Sequence, residues 1–166
     1  ALEPLIRDVA PCVLVCDATT AGRVRALAAR LDIKHVVQLG EGGVTADELL
    51  ARPKGELPLP QRGDLCAIFF TGGTTGVPKG ANHAHFNLMA FCYGVAHVWP
   101  FPLDKERILN VAPLFHIWGF CFTLVAPVYF RAFMDIMPAY KPALVLEEFQ
   151  KQKITIFAGG PAALYM

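Results

Sequence analysis

Apolar and polar positions fall in blocks along this chain, and the period of the blocks changes in a regular way. "CVLVCD" (12–17) is short, apolar and β-branched, and reads as a strand. "AGRVRALAARL" (21–31) spaces alanine and leucine at helical intervals. "KHVVQL" (34–39) returns to a strand that ends at the glycines of "GEGG". Strand, helix, strand in this order predicts parallel strands joined by a crossover helix. Residues 40–63 hold Gly40, Gly42, Gly43, Pro53, Gly55, Pro58, Pro60 and Gly63. They read as a surface connection with a short helix around "TADELLA". "LCAIFF" (65–70) predicts a buried strand, and "HFNLMAFCYGVAHVW" (85–99) a largely buried helix that Pro100 and Pro102 end. "RILNVAP" (107–113) and "RAFMDIM" (131–137) predict strands on either side of a helical "GFCFTLVAPVYF" (119–130). "PALVLEEFQKQ" (142–152) is an amphipathic helix with Pro142 at its first position, and "ITIFAG" (154–159) is the last strand. The expected class is α/β, with mostly parallel sheets and flanking helices.

Composition changes this picture in one respect. Charged residues make up 17% of the 166, against roughly 25% in an ordinary soluble domain, and the mean hydropathy is +0.41. Either the protein meets a membrane or more protein covers its surface. The chain begins at Ala1 and stops just after an apolar run, so it is expected to be a piece of a longer polypeptide. No Asp, Glu, Lys or Arg occurs from Ile108 to Phe130, but Asn110, Pro113, His116 and Pro127 divide that run. A short strand and a helix are expected there, with no integral membrane segment. Glu3, Arg7 and Asp8 come ahead of any long apolar run, so no signal peptide is expected.

A net charge of +1 supplies no basic field, so no nucleic-acid partner is expected. The five cysteines (Cys12, Cys16, Cys66, Cys92, Cys121) are odd in number and sit mostly in apolar runs. That pattern predicts reduced, buried thiols in a cytoplasmic protein. Cys12 and Cys16 lack a second ligand pair, and the His83-x-His85 pair lacks a third ligand. No metal centre is therefore expected.

The candidate chemistry lies in "FFTGGTTGVPKGANHAH" (69–85). Glycines 72, 73 and 76 let backbone N–H groups approach a ligand, Thr71, Thr74 and Thr75 add hydroxyls, and Lys79 adds a cation. Donors with one positive charge after an apolar strand describe a cradle for phosphate oxygens. The pattern is neither G-x-x-x-x-G-K-[ST] nor G-x-G-x-x-G.

This stretch resembles the phosphate-binding signature of the adenylate-forming superfamily, [YF]-T-[SG]-G-[ST]-T-G-x-P-K-G followed by T-H-x-N. Thr71 to Gly80 match throughout, and His85 and Asn87 fit the trailing pair. Ala84 departs where threonine is usual, which removes a side-chain cap from the next helix. "APLFHIWGF" (112–120) resembles the P-[LM]-[FY]-H-x-x-[GA] segment of the same superfamily. "KITIFAGGPAALYM" (153–166) resembles its strand leading into "VPxxY"-like residues. Within the superfamily the chain looks most like a bacterial fatty-acid or other acyl-CoA synthetase, AMP-forming.

The resemblance implies ATP, Mg2+ and coenzyme A as reactants and cofactors, with a small-molecule carboxylic acid, most simply a fatty acid, as substrate. It implies that Thr71, Gly72, Gly73, Thr74, Thr75, Gly76 and Lys79 hold the polyphosphate, Lys79 also stabilising the leaving pyrophosphate. It places His116 beside the carboxylate as its orienting group, and Trp118, Phe120, Gly159 and Gly160 around the acyl pocket. Residues 1–63 would be the leading β-α-β segment and connection, and 64–166 the phosphate-loop and acyl-pocket segment, of one incomplete N-terminal domain. The superfamily's magnesium glutamate, ribose aspartate and C-terminal adenylation lysine do not occur here. The remainder of the chain is thus the missing partner, and the 166 residues alone are expected to be inactive. A fatty-acyl-AMP ligase, an aryl or amino-acid adenylating domain, and a non-catalytic nucleotide-binding module remain alternatives. The oligomeric state stays open.

Overall fold

The computed structural model describes residues 2–53, 55–72, 76, 78–99 and 102–160. It divides into two units, residues 1–59 and 60–166.

In the first unit, β1 (Val13–Asp17) and β2 (His35–Leu39) pair in parallel, with Val13 opposite His35 and Asp17 opposite Leu39. The crossover helix α2 (Ala21–Arg30) buries Ala21, Leu27 and Ala28, the small and apolar face that its spacing foretold. Helix α1 (Glu3–Val9) goes unsignalled by periodicity because it is only seven residues long and buries none of them. It is held by Pro4 in its first turn and by Glu3, which pairs with Arg7 and with Arg30 of α2. The short helix in the connection is α3 (Ala46–Leu50), closed by a capping box between Thr45 and Glu48.

The second unit opens with an antiparallel hairpin, β3 (Leu65–Thr71) and β4 (Lys79–Ala84). Helix α4 (His85–Val98) follows, then β5 (Arg107–Asn110) and α5 (Ile117–Phe120). A π-helical turn (Cys121–Val125) runs into α6 (Ala126–Phe130), followed by β6 (Phe133–Ile136), α7 (Pro142–Lys151) and β7 (Ile156–Phe157). Strands β6, β5 and β7 form a parallel sheet in that order, with β5 at its centre. Of the three sheets among the described residues two are parallel, so the α/β class and the mainly parallel character stand.

Several expectations need correction. "LCAIFF" is only half-buried, and Leu65 and Cys66 are exposed. Helix α4 buries just Leu88, Cys92 and Val95, while Tyr93 and Val98 are each 67% exposed. It is apolar on every side but meets neighbours on one. Cys12 and Cys66 are exposed thiols; Cys16, Cys92 and Cys121 are the buried ones. The single helix expected over 119–130 is broken by the π-turn. There Ala126 N–H reaches back to the Cys121 carbonyl, and Pro127 has no N–H to restore the usual register. Among the described residues no helix is long and apolar enough to cross a membrane.

Candidate functional site

The hairpin holds the glycine- and threonine-rich segment by its base. Thr71 lies opposite Lys79 as the last pair of the β3–β4 ladder, and the Thr71 hydroxyl donates to the Lys79 carbonyl at 3.3 Å. Both residues are exposed, as is Gly72. Gly76 has φ +83°, a left-handed conformation that glycine adopts without penalty. Gly73, Thr74 and Thr75 lie outside the described residues. The return strand β4 escaped the sequence because "KGANHA" has neither β-branched residues nor apolar alternation. Its pairing with β3 puts Thr71 and Lys79 side by side although eight positions separate them.

His116 comes from the other end of this unit. Strand β5 ends at Asn110, the chain turns so that His116 N–H donates to the Pro113 carbonyl at 3.0 Å, and His116 caps α5. Its Nδ1 accepts the Trp118 N–H at 3.2 Å. An accepting Nδ1 carries no proton, which assigns the neutral ring's proton to Nε2. The exposed imidazole can therefore donate from Nε2 to a carboxylate or phosphate oxygen. Gly119 makes the turn possible: a Cβ there would lie 2.4 Å from the Pro113 carbonyl oxygen.

Trp118 and Phe120, adjacent in the motif, are separated by the helix. Trp118 donates its indole N–H to the Ala158 carbonyl at 3.3 Å and stacks on Phe122, ring centres 4.3 Å apart. Together with Ile108, Phe130, Phe157 and Gly159 they line a cavity of about 440 Å3, and none of the described residues in its wall is charged. Phe120 instead packs on Phe69 of β3, ring centres 5.1 Å apart, and Phe69 meets His83 edge-on at 5.8 Å. That contact joins the hairpin carrying Thr71 to the helix capped by His116. Gly160 is exposed and stands outside the cavity wall. Sequence reasoning missed Phe122 and Phe130 as wall residues, since an aromatic in an apolar helix reads equally as core.

Among the described residues no three His, Cys, Asp or Glu side chains converge where they could hold a metal ion.

A model of the AMP-binding enzyme family matches residues 1–166. The mitochondrial malonate–CoA ligase of Homo sapiens is 35% identical over 112 residues, 64% of this chain and 19% of that protein. A long-chain-fatty-acid–CoA ligase of Bacillus subtilis is 31% identical over 116 residues, 69% of this chain and 20% of that protein. Among solved structures, ATP-bound MatB from Rhodopseudomonas palustris superposes with a TM-score of 0.84 at 27% identity, covering 98% of this chain and 32% of MatB. The chain thus spans about a fifth of the length of these curated relatives. With its whole length matched, the chain belongs to the AMP-binding enzyme family.

Proposed function

We propose that this chain is the phosphate-loop and acid-pocket part of an AMP-forming CoA ligase whose acid has an apolar tail, most simply a fatty acid. Both units would belong to the front of one N-terminal domain in a longer parent enzyme. In the reaction a carboxylate oxygen attacks the α-phosphorus of ATP and the bond to pyrophosphate breaks. The sulfur of coenzyme A then attacks the acyl carbonyl and AMP departs. Negative charge grows on the leaving pyrophosphate, where the loop amides, Thr71, Thr74, Thr75 and Lys79 would stabilise it. His116, donating from Nε2, would orient the carboxylate, which is ionised already and needs no base.

The observation that carries the substrate class is the cavity beside Trp118, whose described wall residues are all uncharged. A second carboxylate such as malonate's would meet no charged partner among the described residues that line it. The names of the relatives favour malonate as the second reading. In the parent ligase, pyrophosphate release with dodecanoate but not malonate supports the first reading, and the reverse supports the second. For the chain itself, ATP or pyrophosphate binding is measured by calorimetry with Lys79→Met and Thr74→Ala. Loss of one charge-assisted contact, about 1.5–3 kcal/mol, weakens binding roughly 10- to 100-fold. Undiminished binding by both variants would refute the phosphate role. The chain alone is expected to show no acid-dependent pyrophosphate release.

A further inference from the structure

Asn110 ends the central strand β5, on the carboxyl edge where open α/β sheets bind ligands. It is 1% exposed, yet its amide Nδ2 has no hydrogen-bond partner among the described residues. An unmatched buried donor is destabilising, so something must offset it. The other half of the carboxamide suggests what. Oδ1 accepts the Ala112 N–H at 2.7 Å, and this bond fixes the orientation of the amide: a flipped group would set two donors against each other. Ala112 and Pro113 are held from the other side by Gly119, whose Cα comes so near that a Cβ would lie 3.1 Å from the Ala112 oxygen. The Pro113 carbonyl then receives His116 N–H. A short rigid path runs from the Asn110 side chain through Ala112 and Pro113 to His116.

We propose that Asn110 is a positioning residue for His116, acting through the Ala112 amide to hold the imidazole in its Nε2–H tautomer. This rests on the reading of His116 as the group that orients the acid. The function of Asn110 is local: Oδ1 takes the Ala112 N–H two residues past the end of β5. Asp retains that oxygen; Leu has the volume without it.

The test reads the histidine itself. With 15N-labelled histidine in the 166-residue chain, His116 is expected to show one tautomer, Nδ1 unprotonated and Nε2 protonated. Asn110→Leu is expected to lose that single-tautomer signal and give an exchange average, while Asn110→Asp retains it. His35 and His97 should stay the same in both variants. An unchanged His116 signal in Asn110→Leu would overturn the proposal, leaving Asn110 a purely structural residue. If Asn110→Leu does not fold, amide exchange in the unaltered chain decides. Protection at Ala112 supports the proposal, and exchange there at the rate of a free amide overturns it. Neither measurement involves nucleotide or acid, so a failure of the ligase reading, seen as unaltered ATP binding in the Lys79 variant, stays distinguishable.

Discussion

Replacing Gly119 by alanine sets two effects against each other, and the structure says which wins. Within a helix, glycine to alanine ordinarily stabilises by roughly 0.5–1 kcal/mol. At Gly119 the new methyl would sit 2.4 Å from the Pro113 oxygen, 2.9 Å from its carbon and 3.1 Å from the Ala112 oxygen. All three are backbone atoms, and they cannot swing aside like the end of a long side chain. They are also held by the His116 N–H and by Asn110. Overpacking of a tight site costs about 1–3 kcal/mol, and a backbone collision belongs at the upper end. After the propensity gain is subtracted, a net loss of roughly 2 kcal/mol remains, or a fall of about 8–16 °C in Tm for a unit of this size. Gly94 in α4 is the control, because a Cβ there meets nothing within 4 Å. Gly94→Ala should hold or raise Tm by a few degrees. Thermal unfolding followed by circular dichroism gives both values. If Gly119→Ala proves as stable as Gly94→Ala, the close approach of turn and helix, and the positioning path built on it, are wrong.

Two further outcomes follow from local chemistry. The Asp17 carboxylate accepts hydrogen bonds from the Thr20 hydroxyl at 2.6 Å, the Thr19 hydroxyl at 2.8 Å and the Thr20 N–H at 2.9 Å. These bonds, the Thr20 hydroxyl foremost, hold its pKa below the usual value. A depressed folded-state pKa adds stability above about pH 4 and loses it as pH falls through the lowered value. Asp17→Asn should flatten the acid limb of the stability curve, and an unchanged limb would count against the bonded turn. Burial pushes the thiols of Cys92 and Cys121 up, whereas Cys12 and Cys66 are exposed. Alkylation of the folded chain with iodoacetamide, read by mass spectrometry, should mark Cys12 and Cys66 well before Cys92 and Cys121. Equal labelling would refute the packing of α4 against the π-turn.

The order of elements and the candidate loop were legible in the chain because each depends on near neighbours. Period-two and period-3.6 runs set β1, α2, β2 and α7, and Thr71 to Gly80 sit in one contiguous motif whose residue types alone describe donors and a cation. Pairing across distance was not legible. Nothing in "KGANHA" announces a strand until β3 lies beside it to supply the ladder, and that pairing alone brings Thr71 next to Lys79. Trp118 and Phe120, two positions apart, look equivalent as letters. The turn of α5 sends one to the cavity beside Ala158 and the other to Phe69. Hydrophobicity told where apolar groups are but not how many neighbours would reach them, so α4 came out far more exposed than its composition foretold. Local preferences are written residue by residue; burial, register and the orphaned amide of Asn110 arise only when distant segments meet.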